Sequence, residues 1–206
     1  MLEKRSSKFV EILNSIIFPI KIVIPQPIIN SIPFLTTNED IRIQEALKWI
    51  HGYVLDIGCG ANKLIKEYRQ KGGRGLGVDV YDWGGQDLIV ENTGKLPFEK
   101  ATFDTATMIA CINHIPNRGE VMLEVYRILK PDGHLILTNL SPVLSAIWHK
   151  YAFWDKDQHQ RGMKEGEVFG LKEDELEGLT AKRGFVLEKK RSFSWNLNTI
   201  YLYRKR

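Results

Sequence analysis

The sequence predicts an α/β protein with a doubly wound, parallel sheet covered on both faces by helices, and three observations carry that prediction. From residue 37 onward, short apolar runs alternate with segments of helical period. The runs are almost continuously apolar, as strands buried on both faces are. The first of them ends directly in Gly58-Cys59-Gly60, a glycine turn of the kind that opens a helix over a ligand. With 206 residues, 43% hydrophobic and 26% charged, the chain is long enough to close one core and too short for two. That composition excludes intrinsic disorder, collagen and small disulfide scaffolds.

Each element has its own signal. Thr37 or Asn38 caps a helix running through Trp49, with Asp40 in capping-box position and Ile41, Ile43, Leu47 and Ile50 on its apolar face. Tyr53 to Ile57 reads as a buried strand, Asn62 to Gln70 as a helix, Gly75 to Val80 as the second strand, Asp87 to Val90 as a short third and Phe103 to Cys111 as the fourth. Asn117 with Glu120 forms a second capping-box pattern, and Val121, Leu123, Val125, Ile128 and Leu129 give that helix its inward face. Lys130-Pro131-Asp132-Gly133 stops it. His134 to Thr138 is the fifth strand. Glu173 to Lys182 is a helix ended by Gly184, and residues 185–193 and 199–204 close the chain as two more strands, seven in all.

Charge and cysteine content narrow the functional classes. The formal charge is +4, but residues 182–206 hold eight Lys/Arg against Glu188 alone, so the other 181 residues carry −3. A protein built to grip nucleic acid spreads basic charge over a face, and this one does not. Two cysteines cannot make a disulfide framework. The opening MLEKRSSKFVEIL does not read as a cleaved signal, and the apolar stretch Ile16 to Leu35 is broken by Pro19, Pro25, Pro27, Pro33 and Lys21, which argues against a membrane span. The expectation is a cytoplasmic protein, with peripheral membrane contact through residues 9–35 as an alternative role of that arm. Residues 1–36 read as an apolar N-terminal arm and 37–206 as the domain proper.

The most informative stretch is Val54-Leu55-Asp56-Ile57-Gly58-Cys59-Gly60-Ala61-Asn62. Gly58 and Gly60 let the backbone turn tightly and let a ligand approach. A dinucleotide would need a third glycine where Lys63 stands, which disfavours NAD. A nucleoside without a pyrophosphate does not need it. Asp79, at the end of the second strand and 23 residues after Asp56, is placed to accept both ribose hydroxyl protons.

These residues resemble those of the class I S-adenosylmethionine-dependent methyltransferases, and among them the small type 11 group. The marks are VLDIGCG, GVDV, NTGKLPF with FDTATMIACINHI, and EVYRILKPDGHLILT, in that order, with resemblance over roughly residues 50–140 by motif and 155–206 by pattern. The resemblance implies a mostly parallel seven-stranded Rossmann-like methyltransferase fold with an antiparallel final strand, and S-adenosylmethionine as cofactor. It assigns Asp56, Gly58 and Gly60 to the methionine and ribose part of the cofactor, Asp79 to the ribose, Asn92 to the adenine amine, and Ala110 and Cys111 to the closing wall, with Cys59, Val80 and Thr93 as further cofactor-binding residues. Asn92 stands where relatives often carry an acid that bonds the adenine amine; an amide oxygen can still accept that bond, without the charge. With strands 1 and 4 adjacent in the order 3-2-1-4-5, Cys59 and Cys111 should lie close together beside the cofactor as free thiols.

The chemistry implied is direct displacement of an activated methyl group onto a small-molecule or lipophilic acceptor. A base is needed only where the acceptor must shed a proton, and His is the side chain best poised for it. His51 and His134 fall at the amino-terminal edge of the sheet, the wrong end. His114 and His159 are the candidate bases, and His149, Trp154, His159 and Arg161 the candidate acceptor contacts, since the segment after the fifth strand overlies the carboxyl ends of the strands. The Asn/Asp-Pro-Pro-Tyr/Phe stretch of enzymes that methylate adenine or glutamine amino groups is replaced by Ala110-Cys111-Ile112-Asn113, which lowers the odds of nucleic-acid substrates. The arm over residues 9–35 has three readings: a lid over the pocket, a membrane contact for a lipid-borne acceptor, or core packing. The alternative to an enzyme is a non-catalytic binding module or partner subunit with the same pocket.

Overall fold

A single sheet in the order β3-β2-β1-β4-β5-β7-β6 organises the structure, a computed structural model that describes residues 16–17, 24, 26–32, 36–143, 146, 165–168, 170–194 and 198–206. The described elements are α1 (Gln26–Ser31), α2 (Asn38–Leu47), β1 (Tyr53–Ile57), α3 (Lys63–Gln70), β2 (Arg74–Asp79), β3 (Leu88–Ile89), β4 (Phe103–Ile109), a 3-10 turn (Ile112–His114), α4 (Arg118–Ile128), β5 (Leu129–Leu140), α5 (Glu173–Ala181), β6 (Phe185–Phe193) and β7 (Asn198–Lys205). Strands β1 to β5 pair in parallel, whereas β7 runs antiparallel to both β5 and β6. The order of the first five strands is the predicted 3-2-1-4-5.

Alternation along the strands divides the core into two layers. Val54, Ile136 and Ile200 face one side, where Ile43 and Ala46 of α2 and Leu64 and Ile65 of α3 cover them. Leu55, Ile57, Leu135 and Tyr203 face the other, under Val121, Met122 and Val125 of α4 and Leu176 of α5. Each face is therefore sealed by a helix pair, which is what a parallel sheet requires. The N-terminus of α2 forms as the sequence predicts: Thr37 Oγ1 accepts from the Asp40 N–H at 3.0 Å, and Asp40 Oδ2 accepts from the Thr37 N–H at 3.0 Å.

Four expectations about local structure are corrected. Asn117 does precede α4, but its side chain makes no cap; its amide instead donates to Glu120 Oε2 at 2.8 Å, so the two polar side chains satisfy each other rather than the backbone. Leu123 points to solvent, 58% exposed, and Met122 takes the inward position. The Lys130-Pro131-Asp132-Gly133 stretch does not stop the helix, which ends earlier, at Ile128. Strand β5 already begins at Leu129, which pairs with Phe103; Asp132 then takes φ +58°, and pairing resumes at His134 opposite Thr105. The fourth strand ends at Ile109, because Ala110 turns away with φ +55°.

Strand β2 is tied to α3 by one carboxylate. Asp87 accepts from the Gly77 N–H at 2.8 Å, from Asn62 Nδ2 at 2.9 Å and from both terminal nitrogens of Arg69 at 3.0 and 2.9 Å. Partial burial pulls its pKa upward, but these donors outweigh that and hold the carboxyl below the usual range. Asn62 is fully buried and its Oδ1 has no partner, so losing Asp87 would strand the whole amide. Asp87→Ala is expected to lower stability by about 2 to 3 kcal/mol, read from chemical denaturation. Glu39, exposed on α2, serves as the control site and should move stability by less than about 0.5 kcal/mol when replaced by Gln.

Candidate functional site

At the carboxyl ends of β1, β2 and β4 the structure opens a cavity of about 790 Å³. Its floor is the turn between β1 and α3. The Gly58 and Cys59 N–H groups both donate to Val78 O, at 2.9 and 3.1 Å, so the turn folds back over β2. Gly58 has φ +71°, and a Cβ there would lie 2.7 Å from Cys111 Cβ and 2.9 Å from its Sγ; both conformation and space demand glycine. Gly60, φ +52°, faces open space, so there the glycine serves the backbone and leaves room for a ligand.

Two carboxylates frame the turn. Asp79, 7% exposed, accepts from the Gly60 N–H at 2.9 Å through one oxygen and from the Tyr81 N–H at 3.1 Å through the other. Each oxygen keeps a second lone pair for a ligand hydroxyl. Asp56, 3% exposed, accepts from Thr107 Oγ1 at 2.6 Å. Burial, reinforced by the neighbouring Asp79 charge and opposed by the Thr107 hydroxyl, pushes its pKa up to about 7. The same burial and the same two carboxylates hold the Cys59 and Cys111 thiols above the ordinary cysteine range. Both cysteines are free and line the cavity, Cys111 with its thiol on Ile57 O at 3.0 Å.

Asp56, Gly58, Cys59, Gly60, Asp79, Val80, Asn92, Thr93, Ala110, Cys111 and His114 all line this one cavity. His149, Trp154, His159 and Arg161 lie outside the described residues, as does much of the arm. His51 and His134 meet edge to face, with ring centroids 5.2 Å apart, at the opposite end of the strands. Asn92 is less open to a ligand than expected. Its Oδ1 accepts from the Gly94 N–H at 2.7 Å and from Asn117 Nδ2 at 3.1 Å.

The cavity also contains residues that sequence reasoning passed over. Glu91, an acid six positions before Pro97, lines the wall beside Asn92, and the spacing alone could have pointed to it. Glu39, Arg42 and Ile43 of α2 reach the mouth, and Lys63 ties α3 to α2 through Asp40. Trp83 and Glu167 also line it, and no local motif marks either. Glu39, Asp56, Asp79, Glu91 and Glu167 oppose only Arg42 and Lys63 among the described lining residues, so the cavity favours a cation.

A family pattern described as a methyltransferase domain matches residues 38–190. This chain belongs to that methyltransferase-domain family. A sterol 4-C-methyltransferase from Caenorhabditis elegans is 30% identical to it over 129 residues, covering 50% of this chain and 39% of the relative. A ubiquinone/menaquinone biosynthesis C-methyltransferase from Bartonella quintana is 29% identical over 110 residues, covering 52% of this chain and 39% of the relative. The chain thus spans about two fifths of the length of the curated relatives it matches. Among solved structures, a SAM-dependent methyltransferase from Methanosarcina mazei superposes with a TM-score of 0.58 at 22% identity, over 78% of this chain and 96% of that one. That likeness is one of fold.

Proposed function

We propose that this chain is an S-adenosylmethionine-dependent methyltransferase acting on a small, lipophilic acceptor by direct methyl displacement. The observation that carries the reading is the acid-lined cavity over the Gly58–Gly60 turn. S-adenosylmethionine is a cation with two ribose hydroxyls; Asp79 would hold the hydroxyls, Asp56 and the turn the methionyl part, and Glu91 with Thr93 the adenine side. Bound there, the cofactor supplies a methyl group already activated as a sulfonium. The protein contributes alignment and exclusion of water.

A lipophilic acceptor is supported by the sterol and quinone substrates in the relatives' names. It is also supported by the exposed Ile16, Ile28 and Ile32 of the arm, beside the buried Ile29. Among the described residues no helix is long and apolar enough to cross a membrane. In this reading the arm contacts the acceptor or the membrane that carries it, from the cytoplasmic side.

Calorimetric titration with S-adenosylmethionine and S-adenosylhomocysteine, with NAD as control, tests the proposal. Binding of either and no heat from NAD is expected; silence from all three would favour a partner subunit instead. Asp79→Ala should weaken binding by about 1 to 3 kcal/mol through loss of charged hydrogen bonds, with the fold kept. Unchanged affinity in the folded variant would remove Asp79 from the site.

A further inference from the structure

A second cavity, of about 640 Å³, opens at the other end of the sheet, among the amino ends of β1, β2 and β4 and the start of β5. Its size is that of a small-molecule site, well beyond what a bare ion fills. Gly73 makes room for one wall. A Cβ there would lie 2.5 Å from three carbons of the Tyr68 ring, whose hydroxyl donates to Gly52 O at 3.0 Å. Tyr53 is the second aromatic wall, packed against Phe103 with ring centroids 4.7 Å apart. On the Tyr53 ring rests the Arg74 guanidinium, its Cζ 4.1 Å from the centroid. Among the described residues that guanidinium has no carboxylate or carbonyl partner. Lys130 Nζ donates to Asp104 Oδ1 at 2.8 Å, and Asp104 Oδ2 accepts from the Tyr53 N–H at 2.7 Å, so this carboxylate is satisfied within the protein. The lining thus sets two cations, Arg74 and Lys130, against one acid, whereas the cavity at the carboxyl ends holds an excess of acids.

We propose that this cavity is a second ligand site, one for a carboxylate or phosphate carried on a flat ring. A guanidinium stacked on an aromatic face keeps its N–H edges in its own plane, where they match two oxygens of one oxyanion. Stacking on Tyr53 also orients the group before a ligand arrives, so less freedom is lost on binding. Lys130 has two N–H donors beyond the one it gives to Asp104, and supplies the second positive charge. The tyrosine rings take the apolar body of the ligand, which a bare ion would leave unused. The strands that carry Asp56 and Asp79 at one cavity present Tyr53 and Arg74, paired in register, at the other. Because the two cavities lie at opposite ends of those strands, this ligand does not compete with one bound over the Gly58–Gly60 turn.

The test titrates the full 15N-labelled chain with benzoate and, separately, with phenyl phosphate, followed through the backbone amides by NMR. One or both probes should move the Gly52, Gly72 and Gly73 amides and leave those of Gly58 and Gly60 in place; the tighter of the two names the oxyanion. Acetate and inorganic phosphate, which lack the ring, should bind at least about tenfold more weakly than their aryl counterparts. Arg74 is exposed, so its replacement leaves the core intact. Arg74→Ala should weaken the aryl probe at least about tenfold, and Arg74→Lys, which keeps the charge without the fork, should recover part of that loss. Silence at Gly52, Gly72 and Gly73 in the unaltered protein overturns the site, as do shifts confined to the Gly58–Gly60 turn, and neither reading needs a variant to fold. Equal affinity for the ring-free ions would leave an adventitious ion only, and unchanged affinity in Arg74→Ala would remove the guanidinium on which the proposal stands.

Discussion

Replacing Gly58 by valine is expected to abolish S-adenosylmethionine binding and to lower stability by about 3 kcal/mol or more, since a β-branched residue is forced into a left-handed backbone and into contact with a neighbour. The geometry separates the two causes. Cys111 stands 2.7 Å from where the new Cβ would be, whereas the φ of +71° belongs to the turn itself. Cys111→Gly in the same chain, which removes both the Cβ and the Sγ that the new side chain meets, should therefore recover the steric part of the stability loss and leave the backbone part. Denaturant unfolding of the two single variants and the double variant measures the coupling, which should be at least about 1 kcal/mol for residues in direct contact. Additive effects would mean that the cysteine does not pack under the turn.

The second large effect is one of pH. Asp56 ionises in the folded protein at about 7, because burial disfavours its charge. In the unfolded chain it ionises near 3.9. Between those values the folded state keeps a proton that the unfolded state has lost. The contribution of Asp56 to stability is thus fully present below about pH 4 and is lost as pH rises to about 7, by on the order of 4 kcal/mol. Asp40, Asp87, Asp104, Glu124 and Glu188, held below the usual carboxylate range, work in the opposite direction at lower pH. The difference between the parent and Asp56→Asn isolates the one group. Unfolding free energies at about pH 4.5 and 7.5 should show the variant gaining on the parent at the higher value. A cationic ligand beside Asp56 favours its charged form, so binding near neutral pH should release a proton, seen as a calorimetric heat that changes with the buffer.

What the sequence made legible was what local pattern dictates. The strand-turn-helix at residues 53–70 and the carboxylate closing β2 depend on neighbours within a few residues, and periodicity marks them. Asn117 shows where local reading fails: the Asn-x-x-Glu spacing is correct, but Glu120 satisfies the Asn117 amide directly and the cap is not made. The stretch after α4 fails for a related reason. Lys130-Pro131-Asp132-Gly133 has the chemistry of a helix stop, but pairing of Leu129 with Phe103 draws the chain into the sheet before that chemistry acts. Glu167 was invisible because it meets His114, 53 residues away in the chain, and no spacing rule spans that distance. Glu91 was overlooked for want of one residue of register, with Asn92 taking its place in the reading.

The position of β7 bears on how the protein reaches this structure. It lies between β5 and β6, although it follows both in the chain, and its antiparallel ladders run from His134–Arg204 to Leu140–Asn198 on one side and from Phe185–Lys205 to Phe193–Asn198 on the other. Until that segment arrives, β6 has no strand to join and the edge of β5 stays open. During synthesis the sheet can therefore assemble only as far as β5, and its last third forms in one event that bridges some 60 to 70 residues of sequence on the β5 side, a long closure of the kind that slows folding. An unpaired β5 edge is also a template for pairing with another chain. The interval before β7 docks is thus the stage at which this polypeptide is most exposed to misassembly.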